Sequence, residues 1–136
     1  MPDLIELADR YVAVWNEPDA DARRTAVVRL WATDGRHILQ PPREVVKAAD
    51  DLGLTAAFEA RGHVELERRV RLAYDEFVAP GQFSFRRRDD VAGLRDAVKF
   101  TWEMVATDGE IAGVGTEFLI IDAEGRIVAD YQFIEG

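Results

Sequence analysis

The sequence predicts an α+β domain in which helices cover one face of a bent, mainly antiparallel sheet. In three segments between residues 3 and 78, apolar side chains recur at intervals of three and four, a spacing typical of amphipathic helices. From residue 82 onward apolar and polar side chains alternate, and short turns separate the alternating runs. Strands joined by short turns pair as antiparallel neighbours, and helices segregated from strands are typical of the α+β class.

Three helices are predicted in the first part of the chain. The first covers residues 3–16. The second begins at Asp19 or Asp21, either of which is a good N-cap, and ends at the turn signal of residues 33–35. The third helix covers residues 62–78. Each has one apolar stripe that can be buried against a sheet.

Five strands are predicted, one short and four in a meander. The short strand covers residues 37–40 and ends at Pro41 and Pro42, which lack the amide hydrogens that a ladder needs. Residues 43–61 form a partly helical connection. The meander strands are predicted at residues 82–91, 96–107, 110–122 and 126–135, with turns at 92–93, 107–109 and 122–125.

Composition excludes several classes of protein. The chain has 136 residues, which is the size of one domain spanning 1–136, with 26 acidic and 17 basic residues and a net charge of −9. This charge repels phosphate backbones, so no nucleic-acid partner is expected. With no cysteine and two histidines, we expect no disulfide and no metal. The absence of a signal-like start or a long apolar run predicts a cytoplasmic protein without a membrane partner.

One acidic residue of the third meander strand stands out because its neighbours on the same face are small or apolar. Glu117 lies between Gly115 and Leu119, and Gly113 precedes them. Glycine inside a strand often marks a bend or the close approach of another group. Glu117 therefore either points into a pocket, where burial would raise its pKa, or is solvated at a bulge in a sheet corner.

The last strand offers a similar choice. Asp130 and Gln132 alternate with Tyr131 and Phe133, so the polar pair faces either solvent or a cavity. The two histidines, His37 and His63, lie near the ends of elements, where each is either an acid–base group or, as we favour, structural or exposed. In the second meander strand, Phe100, Trp102 and Met104 share the inward face, and Trp15 and Trp102 are either core residues or the walls of an aromatic pocket.

The order of these elements resembles the NTF2-like superfamily, and more narrowly its SnoaL-like and ketosteroid-isomerase-like branch. The residues that carry the resemblance are Tyr11 on the first helix, the Leu30–Gly35 end of the second, Gly62 at the start of the third, and the closing turn from Ile120 to Ile127. The resemblance implies a cone-shaped (cystatin-like) fold of three helices on a strongly curved sheet that encloses a pocket. It also implies a homodimer that packs through the outer sheet face.

The resemblance implies roles for particular residues. Tyr11 matches the hydrogen-bonding tyrosine of the isomerase, and Glu117 matches its second oxyanion donor. The face that carries Asp130 and Gln132 would point into the cone. The isomerase base would fall on Leu39 or Gln40, neither of which can abstract a proton, so the standard ketosteroid isomerase mechanism is not expected.

The leading hypothesis is a pocket protein that binds or converts an apolar, cyclic small molecule. If it is an enzyme, isomerase-, cyclase- or hydration-like chemistry would use Asp130 as base and Tyr11 and a protonated Glu117 as donors, without a cofactor. The ligand-binding wall is predicted to comprise Trp15, Gln40, Phe100, Trp102, Met104 and Gln132. The alternative is a non-catalytic ligand-binding or dimeric interaction module. Epoxide hydrolysis ranks lower because no arginine is expected in the cavity.

Overall fold

The computed structural model describes residues 3–54 and 58–135, which form four α-helices and a seven-stranded sheet. The helices are α1 (Leu4–Asn16), α2 (Ala20–Leu30), α3 (Arg43–Asp51) and α4 (Gly62–Ala73). The strands are β1 (Trp31–Leu39), β2 (Phe58–Arg61), β3 (Phe83–Arg87), β4 (Ala92–Leu94), β5 (Ala97–Ala106), β6 (Ile111–Ile121) and β7 (Ile127–Glu135). The α+β class predicted from the sequence is confirmed.

The first two helices begin at aspartate caps. The Asp3 carboxylate accepts hydrogen bonds from the backbone N–H groups of Ile5 and Glu6, and Asp19 accepts one from Ala22. These bonds satisfy amides that have no partner within the helix. Helix α1 then buries Leu7, Ala8, Tyr11, Val12 and Val14, a set that includes Leu7, Tyr11 and Val14 of the predicted stripe.

The predicted end of the second helix is wrong. Helix α2 ends at Leu30, and β1 begins at Trp31, so the turn signal at residues 33–35 lies inside a strand. The pairing of β1 with β7 shifts register between Trp31 and Arg36, which places a bulge there. A Cβ on Gly35 would lie 2.9 Å from the backbone oxygens of Ala32 and Ile127, so glycine is needed for the close approach.

The connection at residues 43–61 is partly helical, as predicted, but it also contains a strand. Helix α3 buries none of its side chains. Strand β2 pairs antiparallel with β1, which the sequence did not indicate. The next helix, α4, continues as a single π-helical turn at Tyr74–Val78, so the predicted helix over 62–78 combines two kinds of helical structure.

The meander differs from its prediction at the first strand. The predicted strand 82–91 is the shorter β3, and the predicted turn at 92–93 lies in β4, which pairs with β5. The tight reversal comes afterwards, where Arg95 has a φ of 53°. Strands β5, β6 and β7 match their predicted positions.

The sheet order is β2-β1-β7-β6-β5-β3, with β4 beside β5. All pairings are antiparallel except that of β1 with β7, which is parallel. The helices pack on one face of this curved, unclosed sheet, and the core between them includes Leu7, Leu30, Trp31, Leu66, Phe100 and Ile127. None of the described helices has the length and apolar composition needed to cross a membrane.

Candidate functional site

A cavity of about 710 Å³ lies between the helices and the concave face of the sheet. Its walls include seven residues predicted for the site: Tyr11, Trp15, Gln40, Trp102, Met104, Glu117 and Gln132. Two other predicted residues, Phe100 and Asp130, are fully buried behind the lining residues. The Phe100 ring meets the Tyr11 ring edge-on, with centroids 5.6 Å apart, and so supports it from behind.

Tyr11, Asp130 and Glu117 form one buried polar cluster at the floor of the cavity. The Tyr11 hydroxyl donates a hydrogen bond of 2.6 Å to Asp130 Oδ2. Glu117 accepts a hydrogen bond of 2.8 Å from the indole Nε1 of Trp102. Both carboxyl groups are fully buried, so water cannot solvate their charge.

This burial decides where a proton is held. Desolvation raises the pKa of Glu117 well above its usual value, and the neighbouring Asp130 carboxylate raises it further. Burial also raises the pKa of Tyr11, so its hydroxyl stays protonated at neutral pH. If both groups were ionised, Glu117 Oε2 and Asp130 Oδ1 would be buried without a hydrogen-bond partner. A proton on Glu117 removes one of the two buried charges and gives this carboxyl group a donor for the neighbouring Asp130.

Strand register brings these groups together. Strand β6 pairs with β7 so that Glu117 is opposite Gln132 and Leu119 is opposite Asp130. Glu117 and Asp130 therefore lie diagonally across one strand pair, on the face that the helices cover. The pocket-facing interpretation of Glu117 fits this arrangement, whereas a solvated Glu117 does not.

A glycine makes room for the indole that binds Glu117. Trp102 on β5 is opposite Gly115 on β6, and its side chain lies across the glycine. A Cβ at Gly115 would lie 2.2 Å from the indole ring, a distance that real contacts do not reach. From Gly113 and Gly115 we expected another group to approach this strand closely, and that group is the Trp102 side chain.

His37 and Arg69 are two polar residues of the site that the sequence analysis did not place in the cavity. His37 is almost fully buried, with Nε2 2.8 Å from Gln132 Oε1 and 3.9 Å from Asp130 Oδ2. Arg69 places a guanidinium nitrogen 2.9 Å from His37 Nδ1. Burial lowers the pKa of His37, and Arg69 lowers it further, although Asp130 and Gln132 oppose this change.

The sequence analysis did not place His37 beside Asp130, because that contact depends on the parallel pairing of β1 with β7. That pairing sets His37 opposite Asp130. The helical pattern groups Arg69 with neighbouring arginines on the outer side of its helix. The expectation that the cavity has no arginine is therefore wrong, because Arg69 lines it. The Nη1 nitrogen of Arg69 contacts His37 Nδ1 and two backbone carbonyl oxygens. Among the described residues, Arg69 makes no hydrogen bond to Glu117 or Asp130.

The groups His37, Glu117 and Asp130 are close enough to suggest a metal ion, with one ligand atom from each within 4.8 Å of the others. The hydrogen bonds do not fit one. An arginine can only donate, so Nδ1 of His37 accepts from Arg69 and Nε2 of the neutral ring carries the proton. Neither ring nitrogen then offers a free lone pair, which a metal ligand needs.

Comparison with solved structures shows the fold. A SnoaL-like family protein from Agrobacterium tumefaciens, provisionally named an isomerase, is 23% identical, with a TM-score of 0.78 over 98% of this chain and 97% of that one. An NTF2-like protein of unknown function from Exiguobacterium sp. 255-15 is 15% identical, with a TM-score of 0.65 over 95% and 98% of the two chains. A protein from Sinorhizobium meliloti, provisionally named a polyketide cyclase, is 14% identical, with a TM-score of 0.59 over 97% and 94%.

No model of a known protein family matches the sequence, and no curated protein matches it. The structural similarity is nevertheless unambiguous across the length of the chain. The protein has the NTF2-like, or cystatin-like, fold of the SnoaL-like proteins, and the resemblance inferred from the sequence is confirmed at the level of fold.

Replacement of Gly115 by alanine should displace Trp102 and break its hydrogen bond to Glu117. We expect Gly115→Ala to lower the free energy of unfolding by about 1–3 kcal/mol, the usual cost of overpacking, in urea denaturation. Gly113→Ala is the matched control. Its Cβ would meet Met104 at an ordinary 3.6 Å, so it should cost little. Equal losses in both variants would contradict the assigned role of Gly115.

Replacement of Glu117 by glutamine should change how stability depends on pH. Because the native pKa of Glu117 is raised above 4.5, the native state holds more protons than the unfolded state above that pH, and wild-type stability falls as pH rises. The slope from this group reaches at most about 1.4 kcal/mol per pH unit. The amide of the Glu117→Gln variant, which mimics the protonated acid, should therefore be increasingly stabilising relative to wild type between pH 5 and 8.

Chemical denaturation at several pH values measures this difference. Glu103→Gln is the control, because Glu103 lies on the other face of the sheet and the hydrogen bonds from Arg86 and Arg88 lower its pKa. Its stability difference from wild type should stay constant between pH 5 and 8. A constant difference for Glu117→Gln as well would mean that Glu117 is ionised in the native protein.

Proposed function

We propose that this protein is a cofactor-independent acid–base enzyme that moves a proton on an apolar, cyclic carbonyl compound. One observation carries the proposal: the Tyr11–Asp130–Glu117 cluster is fully buried, yet it lies at the floor of an apolar cavity large enough for a small molecule. Burying two carboxyl groups is costly, and perturbed carboxyl groups of this kind are typical of acid–base sites. Isomerase and polyketide cyclase are provisional names of two proteins with this fold, and such chemistry fits the proposal.

The two carboxyl groups act as one unit in this proposal. Glu117 lines the cavity, whereas Asp130 lies behind it. When Asp130 holds the shared proton, Glu117 is a carboxylate in an apolar wall and can accept a proton from the carbon next to a substrate carbonyl. Return of that proton to a different carbon completes an isomerisation. Asp130, the base expected from the sequence, is then the reservoir for the proton that Glu117 gives up.

The remaining residues shape the substrate site. Trp15, Trp102 and Met104, with Phe77 and Phe85, provide an apolar wall against which a ring system can pack. Phe85 supports Trp102 edge-on, with ring centroids 5.6 Å apart. Tyr11 donates its only hydroxyl proton to Asp130 and so stabilises the charge that the carboxyl pair carries.

The proposal is tested by exchange of substrate protons in D₂O. A panel of cyclic ketones is incubated with the protein, and proton NMR follows loss of the signal from the carbon next to the carbonyl. Asp130→Asn should slow this exchange at least about 100-fold, since general acid–base catalysis contributes roughly 10²–10⁴-fold. Glu103→Gln, which alters a nearly buried acid on the opposite face of the sheet, should exchange at the wild-type rate.

Tryptophan fluorescence separates the competing functions. Trp15 and Trp102 line the cavity, so a bound ketone should change their emission. If ketones bind but exchange no protons, the proposed enzyme activity is refuted and a ligand-binding function is favoured. A panel that neither binds nor exchanges would favour the interaction module.

We also propose that two copies pair through the outer face of the sheet. On that face Phe118 is paired with Tyr131 and Thr116 with Phe133, and both phenylalanines are at least one-third exposed. Adjacent exposed aromatic side chains on the outer face of a sheet are typical of an interface. The dimer expected from the resemblance would bury them.

Sedimentation velocity tests this pairing. Phe133→Asp should shift the protein to the mass of one chain, because the new carboxylate would be buried without a partner in the dimer. Val64→Asp is the control, since Val64 is 83% exposed on α4, away from the sheet. A wild-type protein that sediments as a single chain would refute the dimer.

A further inference from the structure

His37 and Arg69 lie in the cavity, but the proposed proton transfer uses neither. The guanidinium of Arg69 is fixed in place by its neighbours. Besides His37 Nδ1, its Nη1 nitrogen contacts the backbone carbonyl oxygens of His37 at 3.0 Å and Phe58 at 3.2 Å, and because Nη1 has two hydrogens, one of them is shared between two of these three acceptors. Arg69 thus holds the imidazole from one side, and Gln132 contacts it from the other.

The directions of the hydrogen bonds that link Arg69, His37 and Gln132 follow from the fact that arginine can only donate. Because a guanidinium only donates, His37 Nδ1 must accept, and the proton of the neutral ring is on Nε2. The Nε2–H group then needs an acceptor, so Gln132 must present its amide oxygen, at 2.8 Å. The amide nitrogen of Gln132 is thereby turned away from His37. Within residues 3–54 and 58–135 no hydrogen bond engages that nitrogen, and Gln132 lines the cavity.

We propose that Arg69 and His37 are positioning residues that hold the Gln132 amide as an N–H donor for an oxygen atom of the ligand. The preferred ligand then carries a carbonyl oxygen at this end of the cavity. Gln132 would stabilise the negative charge that develops on this oxygen when the neighbouring carbon loses its proton. A donor is needed there because the Tyr11 hydroxyl, the expected donor, is engaged by Asp130.

The relay polarises the donor as well as orienting it. The charge on Arg69 strengthens its bond to Nδ1, which makes Nε2–H a better donor to Gln132, and chains of this kind are mutually reinforcing. His37 is nearly fully buried and the rings of His37 and Trp15 lie 5.5 Å apart, so the imidazole has little freedom to turn. The ligand oxygen thus meets an amide that is held in one orientation.

The first test concerns the protein without ligand. Long-range ¹H–¹⁵N NMR distinguishes a protonated from an unprotonated ring nitrogen, and we expect His37 to carry its proton on Nε2 in the wild type. Arg69→Met removes the donor to Nδ1 and should produce a mixture of His37 tautomers or a protonated ring. Arg68→Met, a neighbouring exposed arginine, should leave the spectrum unchanged. His63, whose Nε2 donates to the Trp31 carbonyl oxygen at 2.9 Å, is an internal reference.

The second test compares 2-decalone with decalin, which has the same ring skeleton but no oxygen. Tryptophan fluorescence should show that wild type binds the ketone about 5-fold more tightly, the contribution of one hydrogen bond. Gln132→Glu keeps the size of the side chain and its bond from His37, but it presents an oxygen to the ligand, so this preference should vanish or reverse. Arg69→Met should weaken it. Gln82→Glu, an exposed site, should preserve it.

This inference deepens the proposed function, because it names the group that contacts the substrate oxygen. The two nonetheless fail separately. His37 protonated on Nδ1, no binding of 2-decalone, or equal binding of ketone and hydrocarbon would overturn the relay while leaving proton exchange by the carboxyl pair intact. Selective ketone binding that depends on Gln132, without proton exchange in any ketone, would keep the relay and overturn the proposed enzyme.

Discussion

The burial of two carboxyl groups side by side is the constraint on which the rest of the site depends. Glu117 and Asp130 are both excluded from water, and two adjacent charges there would be prohibitively costly. Every nearby polar group reduces this cost. Tyr11 and Trp102 each donate to one carboxyl group, and a proton retained on Glu117 removes one of the two charges. The buried pair is consequently more stable with one shared proton than with two charges.

The sheet brings these groups together through irregular features. Gly35 makes room for the bulge in β1, and this bulge shifts the register between β1 and β7. After the shift, His37 on β1 is opposite Asp130 on β7. In β6, Gly115 leaves the space that Trp102 fills. Positions that weaken a regular strand are therefore used where the site needs close approach. Two helices contribute to the cavity, α1 through Tyr11 and α4 through Arg69.

The spacing of apolar residues predicted a helix or strand well wherever that element's own burial set the spacing. Period-two alternation identified β5, β6 and β7, and it singled out Glu117 as an acid between small and apolar neighbours, with the choice between pocket and solvent left open. The predictions were wrong where a turn signal had another cause. Residues 33–35 form a bulge inside β1, and residues 92–93 pair in β4. In both places strand pairing outweighed the local preference for a turn, with the distant β7 in the first case and the adjacent β5 in the second.

The sequence by itself determined the three main helical segments and the long strands β5, β6 and β7, because periodicity is a local property of the chain. It also determined the available chemistry, since a chain without cysteine and with two histidines leaves carboxyl groups and tyrosine as the main acid–base groups. Only the tertiary structure decided which of them meet. Tyr11 and Asp130 are 119 residues apart in sequence, and His37 and Gln132 are 95 apart. Such contacts depend on strand register and on the side from which a helix approaches, and neither property is encoded in the spacing of residues along one element.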